Sequence, residues 1–344
     1  MRIRNFPIVS LLAILFVSPA VAGPSKEIRD FVAWCTNGLT CKAETFTQDE
    51  ELNGFGVERK AGPGTPVLLF FRSQAGFAEG STVALSLDGA PAGEIPAAEF
   101  TRNDSDFLTS IDETGLVAGL LAKLKDARRL EVTYTAAKGK RTASLSLSGL
   151  AGSLTWLDEA QGRIGTVDAI VAKGDKASPE HTVRDVLSID DLPEDLKDLY
   201  SERGNCALME PERFGNLGAF EDQFDPVNSL LVIPCGEGGA YNQPYRVFWV
   251  TDLGEKAMAL PAMGEEGPIV VAEAWNVDWD HATATLTGMF KGRGLGDCGM
   301  FDKWRLTGEE EYRTFMLVEA RRKDDCDGKG GVETFPIVWP IKRK

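Results

Sequence analysis

The sequence predicts a mainly β protein, built as two β-sandwich or barrel-like domains with a few short helices. Three observations carry this reading. Apolar and polar residues alternate with period two in many short segments, the pattern of strands with one wet face. Turn-forming glycines punctuate those segments, as at Asp88-Gly89. Strands and long helices do not alternate, which argues against a parallel α/β sheet.

In the first domain, Pro66 to Phe71 is a continuous apolar run, as expected of a strand buried on both faces. Val83, Leu85 and Leu87 alternate with Ala84, Ser86 and Asp88. Leu130, Val132 and Tyr134 alternate with Glu131, Thr133 and Thr135; after the turn at Lys138-Gly139-Lys140, Ala143, Leu145 and Leu147 alternate with serines. This is a hairpin with one wet face. One helix is expected, with Leu116, Val117, Leu120, Leu121 and Leu124 on one stripe and Asp112 or Thr114 as its cap. A connector follows over 158–185. Ile164, Val167, Ile170 and Val171 suggest a helix from Asp158 to Gly174, and the polar stretch from Lys173 to Thr182 reads as a linker.

The second domain, 186–344, opens with a helix carrying Leu192, Leu196, Leu199 and Tyr200, with Pro193 in its first turn and Gly204 as its stop. Strands are expected at Leu230–Ile233, Tyr245–Val250, Pro268–Ala274, Ala282–Phe290, Phe315–Ala320 and Phe335–Ile341. Their spacing suits an antiparallel sandwich or barrel.

Residues 1–22 read as a cleaved export signal. Arg2 and Arg4 form a basic start, Phe6 to Val17 an apolar stretch, and Ala20-Val21-Ala22 a small-x-small cleavage site. The apolar stretch is shorter than the roughly 20 residues a membrane span needs, so no stable membrane anchor is expected after cleavage. The mature chain of residues 23–344 carries 35 basic and 52 acidic groups, a net charge of −17. That balance opposes nucleic acid and anionic lipid as partners. The periplasm is the expected compartment, with secretion as the second choice.

Six cysteines stand at 35, 41, 206, 235, 298 and 326. An even count in an exported chain implies disulfides. Pairing sequence neighbours gives Cys35–Cys41, Cys206–Cys235 and Cys298–Cys326, though other connectivities are compatible with the sequence. Each bridge contributes about 2–4 kcal/mol. No C-x-x-C occurs, so redox and zinc-ribbon chemistry lack their motif.

Catalytic motifs are equally scarce, and no catalytic, cofactor-binding or metal-binding residue is assigned. The two histidines, His181 and His281, sit outside any nucleophile elbow or zinc-binding helix motif. Asn276, Asp278 and Asp280 alternate as at the start of a calcium loop, but the expected glycine is His281 and the expected glutamate is Thr287. The glycine-rich segment from Gly292 to Gly299 does not open a helix, as a dinucleotide loop requires, and reads as a turn delivering Cys298. Two loops remain as a binding face. Gly236 to Gln243 carries Tyr241 and Asn242, and Gly292 to Gly299 carries Arg293 and Asp297. Tyr and Arg often carry binding energy, and cysteines that pin such loops lower the ordering cost of recognition.

The segments Phe31-Val-Ala-Trp-Cys35 with Cys41, Asp158-Glu-Ala-Gln-Gly-Arg163, Cys235-Gly-Glu-Gly-Gly-Ala-Tyr-Asn242, Gly292 to Gly299 and Glu319 to Cys326 resemble a family catalogued as domain of unknown function 1176. The first domain also resembles the invasion-associated locus B family, although Cys35 directly follows Trp34 here. Both resemblances imply an exported, disulfide-bonded β protein, and neither implies a reaction. The leading functional expectation is a non-enzymatic protein of the cell envelope that binds an envelope protein or glycan. The alternatives are a carboxylate-dependent hydrolase of envelope polymers and an inhibitor of a secreted enzyme. Intact-mass measurement of exported material is expected to show a chain beginning at Gly23 and six hydrogens fewer than the reduced chain. A thiol that alkylates under denaturing, non-reducing conditions contradicts full pairing.

Overall fold

The computed structural model describes residues 23–104, 107–136, 139–180, 182–309 and 312–340. The expected signal at 1–22 and His181 lie outside the described residues. All pairings between the named strands are antiparallel and the helices are few and short, so the mainly β expectation holds.

Two sheets enclose the core of the N-terminal half. The larger runs in the order Ser25–Ile28, Phe31–Cys35, Cys41–Phe46, Leu52–Arg59, Val67–Ser73, Leu108–Ile111, Thr101–Asn103. The smaller runs Gly139–Ser146, Arg129–Ala136, Thr82–Leu87, Ala90–Pro96. The alternation sets which face is inside. Leu130 opposes Leu145 and Val132 opposes Ala143, all buried, while the threonines and serines between them stay nearer solvent. Phe31, Phe55, Val57 and Phe71 from the larger sheet meet them in one core. Burying a side chain of that size is worth about 1.5–3 kcal/mol. Helix α1, Thr114–Leu124, closes the core with Val117, Leu120, Leu121 and Leu124. Its cap is neither Asp112 nor Thr114. The Glu113 carboxylate accepts the amides of Gly115 and Leu116, because Glu113 holds the non-helical conformation an N-cap needs.

The expected helix over 158–174 is displaced. Helix α2 spans Leu150–Ala160 and buries Leu150, Leu154 and Leu157. It ends where Gly162 and Gly165 adopt φ of +65° and +79°, a conformation a helix cannot continue. Ile164 and Val167, read as part of an apolar stripe, are exposed. Buried polar groups hold the segment instead. The two Asp158 oxygens accept the Ile170 and Val171 amides, each at 2.9 Å. Arg163 donates to Asp168 and to the Gly62 carbonyl, and Arg59 Nη2 donates to Asp168 at 3.0 Å. Burial alone raises the Asp168 pKa. Hydrogen bonds from Ser178 and Thr166 and the two guanidinium charges outweigh it and hold the carboxyl well below its usual range.

In the C-terminal half, Ser229–Pro234 is buried on both faces. Leu230 and Val232 enter one core with Trp249, Trp279 and Trp304; Leu231 and Ile233 enter a second core with Leu192, Leu196 and Phe214. Its sheet runs Val183–Asp185, Phe220–Gln223, Ser229–Pro234, Pro244–Thr251, Gly254–Ala257, with Glu273–Trp275 also paired to Pro244–Thr251. The opposing sheet runs Asp278–Asp280, Thr285–Lys291, Gly299–Thr307, Thr314–Lys323, Ile337–Trp339. Pro268–Ala274, expected as one strand, is two: Gly267–Val271 pairs with Leu260–Gly264, and Glu273–Trp275 joins the first sheet. The helix expected near Leu192 is a single α turn, Glu194–Lys197, flanked by 3₁₀ turns. The disulfides join sequence neighbours: Cys35–Cys41, Cys206–Cys235 and Cys298–Cys326.

Asp158→Ala strands two part-buried amides and removes a carboxylate 3.9 Å from the buried Arg59 guanidinium. Breaking such a buried charge cluster costs about 3–5 kcal/mol. Urea unfolding of the variant is expected to show that loss; a midpoint within error of the parent contradicts the assignment.

Candidate functional site

The two glycine-rich loops lie side by side. A Cβ at Gly294 would sit 3.7 Å from Cδ1 of Tyr241. Of the four residues singled out in sequence, two turn inward. Asn242 is buried and copies a strand pairing: its Nδ2 donates to the Lys291 carbonyl at 2.9 Å, and its Oδ1 accepts the Lys291 amide at 2.9 Å. Asn276 reinforces it. Its Nδ2 contacts the Tyr241 and Met289 carbonyls and the Asn242 Oδ1, and its Oδ1 accepts the Gln243 amide. Asp297 is also buried. It receives Arg293 through two hydrogen bonds of 2.8 and 2.7 Å and the Gly328 amide at 2.6 Å. The hydrogen bond from Arg293 is the main reason its carboxyl stays well below the usual range.

The other two reach solvent. Tyr241 is 37 % exposed, and the Arg293 side chain is 41 % exposed. In the second loop Leu295, which sequence reasoning passed over, is 69 % exposed. A leucine between two glycines, with no strand pattern to bury it, was the available signal. Disulfides brace both loops at one end: Cys235 precedes the first, and Cys298 in the second is tied to Cys326, two residues from the Gly328 amide.

A second feature is a cleft of about 670 Å³ between the two halves. The turn at 36–40, closed by Cys35–Cys41, forms part of one wall and docks on the C-terminal half. Asn37 donates to the Val277 carbonyl and accepts the Trp279 amide, both at 3.0 Å. Thr36 Oγ1 and the Gly38 amide both donate to Asp185, whose pKa burial raises. The Leu39 carbonyl accepts Gln161 Nε2 at 2.7 Å, so α2 is held to the same turn.

The opposite wall carries Asp278, Asp280, His281, Thr285, Thr287 and Lys303. Register places Asp278, Thr287 and Lys303 in one cross-strand row. Asp278 is an exposed residue, and the desolvation of its carboxyl by the cleft walls raises its pKa. Asp280 accepts the amide and hydroxyl of Thr283. His281 Nδ1 lies 2.6 Å from Oδ2 of the fully buried Asp222, which also accepts Trp279 Nε1 at 2.7 Å and Thr182 Oγ1 at 2.9 Å. This orients the imidazole as in a catalytic dyad. Among the described residues no hydroxyl or thiol hydrogen-bonds its other nitrogen.

A family described as a protein of unknown function (DUF1176) matches residues 25–342. The uncharacterized protein YpfG of Escherichia coli (strain K12) is 27 % identical over 369 residues, covering 98 % of this chain and 99 % of its own. Among solved structures, the crystal structure of invasion associated protein b from Bartonella henselae matches at 16 % identity and a TM-score of 0.32, over 41 % of this chain and 99 % of that one.

The hydrogen bond to Asp222 raises the His281 pKa above 6.5. A raised folded-state value gives stability that is complete below pH 6.5 and is lost as pH rises through the folded pKa. The side chain is half exposed, so solvent screening keeps the effect small. Urea midpoints measured across pH 6.5 and upward are expected to fall in the parent and to run flatter in His281→Gln. Parallel profiles contradict the pair.

Proposed function

The chain belongs to the DUF1176 family, and we propose that it is a non-enzymatic binding protein of the cell envelope, exported to the periplasm by cleavage of residues 1–22. Three disulfides suit an oxidising compartment. Among the described residues, no helix is long and apolar enough to cross a membrane.

The observation that carries the binding reading is the paired-loop platform. Tyr241 and Leu295 present apolar surface on braced loops: Asn276 bonds the Tyr241 carbonyl and the Gln243 amide in one, and the Gly292 and Gly296 amides bond the Cys298 and Arg293 carbonyls in the other. A preformed platform loses little conformational entropy on binding. Adjacent loops that expose a leucine, a tyrosine and an arginine match the composition of protein–protein hot spots, so the partner is an envelope protein. The cleft acids favour binding over hydrolysis. Asp280 is occupied by the amide and hydroxyl of Thr283, whereas a glycosidase needs an acid and a base both free to face substrate.

Pull-down from periplasmic extract tests the face. Leu295→Asp and Tyr241→Ala are each expected to lower capture of a reproducible partner at least about tenfold, the scale of a residue worth 1.4 kcal/mol. Their melting temperatures stay at the parent value, since exposed substitutions shift stability by about 0.5 kcal/mol or less. Asn242→Ala is expected to lower both capture and melting temperature. Capture unchanged in Leu295→Asp and Tyr241→Ala defeats the proposal.

A further inference from the structure

The strands Leu260–Gly264 and Gly267–Val271 form a two-stranded ribbon of their own. The ribbon leaves the edge of Pro244–Thr251 between Gly254–Ala257 and Glu273–Trp275, both of which pair with that strand. Its inner strand is docked. Leu260 and Ala262 are buried. The Pro261 carbonyl accepts Trp304 Nε1 at 2.6 Å, and the Met263 carbonyl accepts Arg322 Nη2 at 3.1 Å. Side chains of the opposing sheet thus occupy the inner edge of the ribbon and hold it in place.

The outer strand has no such cover. Register pairs Gly264 with Gly267 across the turn at Glu265 and Glu266. In a hairpin with two turn residues that closing pair is hydrogen-bonded, and bonded and non-bonded pairs then alternate. Ile269 therefore exchanges its bonds with Ala262, while Pro268 and Val270 turn their backbone groups outward. Among the described residues nothing bonds the Val270 amide or the Val270 and Pro268 carbonyls. Pro268 has no amide to leave unpaired, as an edge position requires of a proline. Along this edge Ile269 and Val270 are 48 % and 68 % exposed. A braced strand with free ladder groups and exposed apolar side chains can accept one more strand.

We propose that Gly267–Val271 is a docking edge for an extended segment of a partner protein, apolar at its centre and basic at both ends. Charge selects this occupant. Glu265 and Glu266 precede the strand and Glu273 follows it; all three are exposed, and none has an ion pair among the described residues. The nearby cations are otherwise engaged: Arg322 is paired with Asp302, and Arg246, opposite Glu273 in register, lies over the Phe248 ring. A segment with basic ends brings a cation to the carboxylates at each end, whichever way it runs. A second copy of this chain does the reverse. Antiparallel pairing of two copies about Ile269 brings Glu265 of each to Glu273 of the other, and like charges facing across a ladder destabilise it. The edge offers one amide and two carbonyls, so Ile269 and Val270 supply the rest of the contact.

The test uses the full chain and three peptides. The first is Lys-Val-Thr-Val-Thr-Val-Lys, acetylated and amidated. The second has Glu in place of each Lys. The third is the first with every valine and threonine N-methylated, so that it cannot donate into a ladder. Fluorescence anisotropy is expected to show the first bound, the second at least about tenfold weaker and the third not bound. By NMR, the Val270 amide is expected to exchange freely in the chain alone and to become protected with the first peptide. Glu265→Lys, Glu266→Lys and Glu273→Lys together are expected to reverse the preference between the first two peptides. Val270→Pro removes the outward amide without removing a bond of the ribbon, and is expected to weaken the first peptide about tenfold. Should that variant not fold, Val270→Lys changes only an exposed side chain and is expected to weaken the same peptide by setting a cation against it. Equal binding of the first two peptides, no binding of the first, or a Val270 amide left unprotected in the bound state overturns the proposal. So does a concentration-dependent dimer that Val270→Pro abolishes, which would give the edge to a second copy.

Discussion

The fold depends on a buried polar cluster in which two arginines and two aspartates stand where a helix over 158–174 was expected. Arg59, Asp158, Gln161 and Arg163 are almost completely withdrawn from solvent. Taking such charges out of water costs several kcal/mol per ion, repaid only when geometry is good and the remaining polar atoms are paired. Here most are. Asp158 is spent on two backbone amides, Asp168 on two guanidinium groups and Thr166, and Gln161 on two carbonyls and Arg163. The cluster thereby fixes a backbone of turns that has no ladder of its own, and removing one member strands its partners.

From that cluster the arrangement of the two halves follows. Gln161 reaches both the Arg59 carbonyl in the N-terminal sheet and the Leu39 carbonyl in the turn that docks on the C-terminal half. Leu39 itself packs against the core of tryptophans on the far side. Cys35–Cys41 closes this turn across opposed strand positions, so the docking residues Thr36, Asn37 and Gly38 leave a rigid base. The small disulfide loop thus acts as a bolt, and the cluster holds the bolt in place. The cleft beside it is the space left by this docking.

Sequence patterning made the strands legible because their physics is local. Period-two alternation around Val132 and Leu145, and the continuous run at Leu230–Ile233, report which faces are buried whatever the partner sheet is. Disulfide pairing was legible as sequence neighbours because antiparallel strands and short loops bring such positions together. The connector was not legible. Its apolar residues have a helical spacing, but Gly162 and Gly165 and the ion cluster decide its shape, and the cluster pairs residues about a hundred positions apart, such as Arg59 with Asp168. The His281–Asp222 contact was hidden for the same reason: the acid lies on a strand 59 residues earlier. In the loops, residue type alone could not separate Tyr241 and Arg293, which reach solvent, from Asn242 and Asp297, which hold the backbone.

That separation bears on how an acidic protein can keep a sticky face. A formal net charge of −15 on the full sequence maintains mutual repulsion between copies. Some exposed apolar side chains, such as Leu208 and Leu253, lie on turns, and others, such as Ile269 and Val270, on strands. Leu295 differs because a neighbouring loop adds Tyr241 and because its backbone cannot relax to hide it: Asp297 and the Cys298–Cys326 bridge fix one end, and the Gly292 amide bonds the Cys298 carbonyl to close the other. A loop free to collapse would cover its leucine against the adjacent strand. Holding it out costs hydrophobic stabilisation, and the buried carboxylate and the disulfide are the features that offset this cost. The carboxylate of Asp297, spent on Arg293 and Gly328, is therefore part of what holds Leu295 in solvent.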